Sequence, residues 1–207
     1  MVQIEDDASV LVRAPILTPR LLIDRFIASK QAWIVKKQQH VSDQLSQIRR
    51  HFNDGDEYLY LGSRYKLALT AEISGKLQFS DRFVLSRSAL SKAKILFEKW
   101  YRHQATGHFL SRLNTVKNVL NVNYKKLHLS SGIRRWGSYS PVSGTISLSW
   151  RLIMAPPEII DYVIIHELSH IIEPNHGKRF WEIVAHYDVD FKTHIKWLKN
   201  HGRTLII

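Results

Sequence analysis

The chain has 207 residues, of which 44% are hydrophobic, and a formal net charge of +12. This length suits one domain, or a catalytic domain with a smaller companion, and it allows a real core to be buried. The chain has no cysteine, which excludes disulfides and thiolate metal ligands, so a metal site would have to use nitrogen and oxygen donors.

The first residues, Met1-Val2-Gln3-Ile4-Glu5-Asp6-Asp7, are acidic and contain neither the basic nor the apolar region of a secretion signal. The longest apolar runs of the chain are short and interrupted by His and Glu, which is unlike a membrane span. We therefore expect a cytoplasmic protein with no membrane partner.

Residues 1–85 are predicted to form an N-terminal α+β lobe. Short strands are expected at 2–4 and 10–12, and Thr18-Pro19 begins a helix that is followed by a second helix to about Ile48. Three further strands are expected to form a β-meander, at 58–61, 65–69 and 76–79. They are separated by the turn signals Asn53-Asp54-Gly55-Asp56, Gly62-Ser63 and Ser74-Gly75.

Residues 86–207 are predicted to form a second domain, although nothing marks a linker and one compact domain is also compatible with the pattern. Apolar residues recur at helical spacing from about 88 to 119, with a candidate break at Gly107. Residues 126–129 and 145–150 alternate as strands do. A further helix begins at Ala155-Pro156-Pro157-Glu158, because proline is tolerated in a first turn and an early carboxylate favours the positive helix end.

This last helix contains the motif His166-Glu167-Leu168-Ser169-His170 in an otherwise apolar run. Residues four apart lie on one face of a helix, so both histidines can reach one metal ion while Glu167 flanks it. Two His and a Glu in a buried helix need a polar partner, since leaving them unpaired would cost on the order of a few kcal/mol. Metal ligation would supply that partner.

A third ligand is expected at His176. Pro174 cannot continue the helix, so the chain turns and His176 can approach the metal; the alternative is that His176 only caps a helix. Catalytic zinc takes three protein ligands and one water molecule, whose proton Glu167 can accept. The site is not of metzincin type, because Glu173 stands where that pattern has Gly and no Met follows the motif.

Basic pairs recur along the chain and favour acidic partners, including nucleic acid, although a solvated basic face is equally compatible with them. If the segment Trp136-Gly137-Ser138 lines a substrate cleft beside the metal motif, Arg135 could bind a substrate carboxylate or phosphate. The alternative is that Arg135 forms a structural salt bridge. Tyr139 could donate a hydrogen bond to an oxyanion, or could be a packed aromatic. The pairs are Lys36-Lys37, Arg49-Arg50, Lys125-Lys126, Arg134-Arg135 and Lys178-Arg179.

Several motifs together resemble the YgjP-like family, also called the domain of unknown function 45 group. The densest likeness runs from about 134 to 198, and a weaker one covers 14–37 and 60–67. The family often has Cys where this chain has Tyr139, so a thiol role does not carry over. The motifs are Arg134-Arg135-Trp136-Gly137-Ser138-Tyr139-Ser140, Gly144-Thr145-Ile146-Ser147-Leu148-Ser149-Trp150-Arg151-Leu152, the metal motif, and Asn175-His176-Gly177-Lys178-Arg179-Phe180-Trp181.

The resemblance implies a metal-dependent hydrolase related to SprT-like and WLM zinc proteases. It implies a zincin-like core, made of a long helix, a small sheet and the metal-binding helix, in residues 86–207. It also implies zinc as the cofactor and Glu167 as catalytic acid/base. The implied ligands are His166, His170 and His176.

Three functions follow as hypotheses. The first is a zinc metallopeptidase that cleaves peptide or protein substrates. The second is a metal-dependent hydrolase of nucleoside triphosphates, suggested by the basic pairs and by nucleotide pyrophosphatases among YgjP-like proteins, although the chain has no Gly-rich phosphate loop. The third is a nucleic-acid-associated module with a structural metal, which the three-ligand count and Glu167 disfavour because structural zinc normally has four protein ligands.

Overall fold

The structure is a computed structural model, and it describes residues 2–4, 10–12, 14–15, 18–47, 52–73, 76–133 and 135–207. The basic pair Arg49-Arg50, the expected turn at Ser74-Gly75 and Arg134 lie outside the described residues. The internal contacts of the chain divide it into two units, Met1–Arg50 and His51–Ile207.

The first unit contains the two strands and two helices predicted from the sequence. Strands β1 (Val2–Ile4) and β2 (Val10–Val12) pair in an antiparallel manner. Helices α1 (Arg20–Ser29) and α2 (Gln31–Gln47) follow, and α1 begins directly after Pro19, whose fixed φ suits a helix start. Among the side chains of this unit that the structure describes, Ile34 of α2 is the buried apolar one, and Val2 and Ile27 pack against it.

The second unit begins with a four-stranded sheet. Its strands are β3 (Glu57–Tyr60), β4 (Ser63–Thr70), β5 (Leu77–Phe79) and β6 (Phe83–Ser86), in the order β3-β4-β6-β5. The predicted meander is therefore incomplete, because β6, which the sequence pattern did not predict, lies between β4 and β5 and runs parallel to β4. Phe83 and Leu85 of β6 are fully buried, as a central strand requires.

The turn between β3 and β4 connects this sheet to the segment that precedes the metal motif. Leu61 and Gly62 both have positive φ, 48° and 80°, which is the geometry of a tight two-residue hairpin. Their backbone N–H groups donate to the carbonyls of Ile153 and Met154 at 2.9 and 3.1 Å. A Cβ at Gly62 would lie 2.9 Å from Cα of Pro156, so only glycine fits there.

Helix α3 (Ala93–Leu120) is the long helix of the core, and it follows a short 3-10 helix, Arg87–Lys92. It is continuous through Gly107, so the candidate break there is absent. One stripe of the helix is buried along its whole length, at spacings of three and four residues, as a core-facing helix requires. The stripe consists of Ala93, Phe97, Tyr101, Ala105, Phe109, Leu113, Val116 and Leu120.

A three-stranded sheet and three helices complete the second unit. Its strands are β7 (Lys126–Ser130), β8 (Gly137–Ser140) and β9 (Thr145–Ser149), in the order β7-β9-β8, with β7 and β9 parallel and β8 antiparallel to β9. Sequence periodicity predicted β7 and β9 but did not identify β8 as a strand. After the 3-10 helix Trp150–Met154 come α4 (Pro157–Ile172), α5 (Lys178–Tyr187) and α6 (Phe191–His201).

The α+β class and the predicted core of long helix, small sheet and motif-bearing helix are both present. The chain's own contacts divide it after Arg50, whereas the sequence suggested a boundary near residue 86. The physical reason is that aromatic side chains from both sides of residue 86 pack in one core. The Tyr58 ring lies 4.4 Å from that of Phe97, and the Phe83 ring lies 6.0 Å from that of Tyr101. None of the described helices is long and apolar enough to cross a membrane.

Candidate metal centre

Helix α4 carries the motif in the middle of the fold. It begins at Pro157 with Glu158 in its first turn, as predicted, and it packs against α3 and β8. Its apolar residues, such as Ile160 and Ile164, are fully buried. The helix ends at Ile172 because Glu173 is extended and Pro174 follows, so the chain turns back toward the motif.

This turn brings together the three histidines that the sequence singled out. One ring nitrogen from each of His166, His170 and His176 lies within 4.8 Å of the others, an arrangement that could hold a metal ion. The Nε2 atoms of His166 and His176 are 3.0 Å apart, so both nitrogens face the same point. Among the described residues, no other His, Asp or Glu joins this group.

Phe180 forms an aromatic wall behind the histidines. Its ring is fully buried, and its centroid lies 4.9, 4.6 and 4.7 Å from those of His166, His170 and His176. Trp181 lies beside it, 5.8 Å from both His166 and His176. Both aromatics lie in the first turn of α5, four and five residues after His176, and this spacing is the sequence signal for their position.

The surroundings favour neutral imidazoles. Burial, with smaller contributions from His170 and His176, lowers the pKa of His166 to about 4. Burial also lowers the pKa of His170, although hydrogen bonds to the backbone of Glu173 and Pro174 act in the opposite direction. A neutral imidazole offers a lone pair, which is the form that ligates a metal.

Glu167 lies beside the histidines and is only 5% exposed. Burial raises its pKa to about 7, while the charge of Arg135 and a hydrogen bond from the backbone N–H of Tyr139 act to lower it. Gly137 of β8 makes room for this carboxylate, because a Cβ there would lie 2.5 Å from Oε1 of Glu167. A buried carboxyl with this pKa can exchange a proton near neutral pH.

Arg135 and Tyr139, the two candidate substrate-binding residues, line the same cavity as the motif. The cavity has a volume of about 420 Å³. Arg135 is exposed, and its Nε donates to the carbonyl of Gly137 at 3.2 Å. The other lining residues are Gly137, Pro141, His166, Glu167, His170, Pro174 and His176.

A second polar group, which sequence reasoning missed, lies behind His166. The hydroxyl of Tyr162 is 3.5 Å from Nδ1 of His166, on the opposite side of the imidazole from the nitrogen that faces His176. The Tyr162 ring lies 6.1 Å from that of His194, and Nδ1 of His194 is 2.8 Å from a carboxylate oxygen of Asp188. Tyr162 precedes His166 by one helical turn, which is the signal that could have identified it.

The other histidines that the structure describes do not join the cluster. His186 is exposed on α5, and its ring contacts Tyr187. His194 instead pairs with Asp188, with Nδ1 2.8 Å from a carboxylate oxygen.

Comparison with known proteins identifies the family. Residues 1–201 match the family model described as "YgjP-like, metallopeptidase domain". The chain belongs to the YgjP-like family. This confirms the resemblance deduced from the sequence, and it makes the protein a metal-dependent hydrolase of metallopeptidase type.

Among solved structures, the chain is similar to the metallopeptidase zymogen jannalysin of Methanocaldococcus jannaschii. The identity is 24%, the match covers 42% of this chain and 93% of jannalysin, and the TM-score is 0.38. No curated protein sequence matches the chain.

Proposed function

We propose that the protein is a zinc-dependent peptidase in which His166, His170 and His176 hold one zinc ion and Glu167 is the general base. The observation that carries this proposal is the juxtaposition of a buried carboxylate and a group of three imidazoles on the wall of one cavity. Peptide bonds are the substrate class because the family is one of metallopeptidases.

The donor set fits catalytic zinc. Three nitrogen ligands leave a fourth position for water, whereas structural zinc is normally closed by four protein ligands. The described residues offer three ligands, and these face a cavity large enough for a substrate segment. The three-ligand set therefore disfavours the alternative in which the metal is structural. The nucleotide alternative gains no support from the family description.

Bound zinc would supply the positive charge that activates a water molecule and polarises the substrate carbonyl. Glu167 would accept the proton of that water molecule and later transfer it to the leaving amine. The backbone N–H of Tyr139 would hold the carboxylate in place during both transfers. Tyr139 is half-buried, packs against the core and also lines this cavity; we propose that its hydroxyl donates a hydrogen bond to the oxyanion of the transition state.

The edge strand β8 supports a peptide as the substrate. Within the described residues, β8 pairs with β9 on one side only. The N–H of Tyr139 binds Glu167, so the other side of the strand borders the cavity. An extended peptide could pair with the backbone groups of this edge that Glu167 and Arg135 do not already occupy, which would place its carbonyl groups beside Glu167.

The test is cleavage of unfolded proteins and of a mixed peptide library by the zinc-loaded chain, with products identified by mass spectrometry. Glu167→Gln should retain zinc, measured by elemental analysis, and lose cleavage. The matched control is Glu158→Gln, which removes a carboxylate from the first turn of the same helix and should leave cleavage unchanged. Unaltered turnover by Glu167→Gln would exclude the proposed general base.

A further inference from the structure

Arg135 presents an exposed cation at the metal cavity. Its Nε donates a hydrogen bond to the carbonyl of Gly137, the first residue of the edge strand β8. Within the described residues, its guanidinium makes no ion pair and no other hydrogen bond. A guanidinium offers five donors in a planar fork, so this anchoring leaves its terminal nitrogens available to a ligand.

The charges around the cavity favour an anion at these terminal nitrogens. Among the described residues that line the cavity, Glu167 is the one acidic residue, and it lies against Gly137 and the N–H of Tyr139. Arg135 acts on Glu167 through charge alone, and it acts on His170 in the same way. With a divalent cation bound, the cavity would be positive overall, and among the described residues Arg135 has no carboxylate within ion-pair distance.

We propose that Arg135 binds a carboxylate of the peptide, so that the site selects substrates with an acidic group close to the scissile bond; this rests on the proposed peptidase function. A guanidinium binds a carboxylate through two parallel hydrogen bonds, which fixes both distance and orientation. The anchored Nε limits the movement of the side chain, so the carboxylate would be held at a defined distance from Glu167.

Two sources can supply this carboxylate: the C-terminus of the peptide or the side chain of Asp or Glu. Both present the same planar group, so the experiment has to distinguish them. A set of short fluorescently labelled peptides serves this purpose. The peptides share one sequence, contain either Glu or Gln at each position in turn, and carry a free or an amidated C-terminus.

Binding is measured separately from cleavage. Fluorescence anisotropy of each peptide is recorded with the zinc-loaded Glu167→Gln protein, in which peptides stay intact, and with the same protein carrying Arg135→Gln, Arg135→Lys or Arg135→Glu. We expect Arg135→Gln to weaken binding of the acidic peptide about tenfold, as loss of a charged hydrogen bond does, and to leave its neutral counterpart unchanged. Arg135→Glu should reverse the preference, so that neutral peptides bind more tightly than acidic ones. Arg135→Lys should retain part of the preference for acidic peptides, because lysine keeps the positive charge but lacks the planar guanidinium.

The matched control is Arg179→Gln. Arg179 is an exposed arginine of α5, close in sequence to His176, and it is not part of the cavity lining. Its removal changes the net charge by the same amount and should leave the preference for acidic peptides intact. An equal loss in Arg179→Gln would assign the effect to general charge and overturn the proposal.

The outcomes separate this inference from the proposed function. If Arg135→Gln weakens acidic and neutral peptides equally, Arg135 acts only by supporting β8 and Glu167, and the inference is wrong even though cleavage persists. If no peptide shows a carboxylate preference, or none binds, the inference is also wrong. If the preference is present and depends on Arg135 but the protein with Glu167 intact cleaves none of the peptides, the carboxylate subsite stands and the peptidase assignment fails.

Discussion

A Cβ atom at Gly137 would lie 2.5 Å from Oε1, 2.6 Å from Cγ and 2.8 Å from Cδ of Glu167. At Gly137, the backbone of the edge strand β8 therefore lies directly against the buried carboxylate of Glu167. The conformation at Gly137 does not require glycine, since its φ is not positive; the requirement is space. Because Glu167 is almost fully buried, it has little room to move away.

Gly137→Ala should therefore lower kcat by about a hundredfold, because a displacement of about 1 Å in a catalytic group costs that much. Zinc content should be unchanged, since the three atoms nearest to the added Cβ all belong to Glu167 and none to a histidine. The measurement is kcat for a cleaved peptide together with elemental analysis. Wild-type kcat in Gly137→Ala would show that the carboxylate can shift without consequence.

Gly107→Ala is the matched control for that substitution. Gly107 lies within helix α3, and a Cβ there would meet nothing within 4 Å. Alanine in the interior of a helix is favoured over glycine by about 0.5–1 kcal/mol, so this variant should be more stable and equally active. Urea denaturation gives the free energy of unfolding, and a decrease would contradict the continuous helix.

Zinc should stabilise the fold through the three histidines. A ligand that binds only the native state adds about 2.7 kcal/mol when its concentration is a hundred times Kd. We expect a higher Tm with zinc than with a chelator. His176→Ala should remove most of this difference, because the side chain is exposed and its loss leaves the core intact. The same zinc-dependent rise in Tm for His176→Ala and the wild type would exclude this histidine as a ligand.

Tyr162→Phe should weaken zinc binding without unfolding the protein. Burial, together with the charges of Asp188 and Glu167, raises the pKa of Tyr162 to about 12, so the phenol stays neutral and can accept a hydrogen bond from Nδ1 of His166. Such a bond orients the opposite nitrogen, and its loss typically costs about tenfold or more in metal affinity.

Competition with a chelator measures that affinity. The matched control is Tyr187→Phe, which removes a hydroxyl from a neighbouring half-buried tyrosine of α5. Its zinc affinity should equal that of the wild type. An unchanged Kd for zinc in Tyr162→Phe would mean that the contact between the Tyr162 hydroxyl and Nδ1 of His166, at 3.5 Å, contributes nothing to zinc affinity.

The ion pair between Arg112 and Asp161 should stabilise the packing of α3 on α4. It has two hydrogen bonds, of 2.7 and 2.8 Å, and the two side chains are 36% and 28% exposed. A partly exposed bidentate pair is worth about 1 kcal/mol, and a double-mutant cycle with Arg112→Ala and Asp161→Asn should give a coupling of that size.

The exposed pair of Arg20 and Asp24, 3.9 Å apart, is the comparison for this cycle and should show little coupling. Both cycles are measured by urea denaturation. Equal coupling in the two pairs would show that the bidentate geometry adds nothing to the stability of the protein.

Local patterns in the sequence predicted much of the secondary structure. The helix start at Pro156-Pro157, the alternation in β7 and β9, and the turn at Gly62 depend on neighbouring residues, and the structure contains all three. Strands β6 and β8 were missed. Each is four residues long, and β8 contains Gly and Ser, so its pairing with β9 rather than its own propensity makes it a strand.

The sequence by itself was enough to identify the family and to predict the candidate ligand set, because the spacing of a metal motif within one helix and one turn follows from helical periodicity and from proline. Only the tertiary structure decided what surrounds that motif. Gly137 lies against Glu167, Phe180 against the three imidazoles and Tyr162 behind His166. The contacts of Gly137 and Phe180 each join α4 to another strand or helix. Packing between different elements, unlike helical periodicity, leaves no local pattern in the sequence.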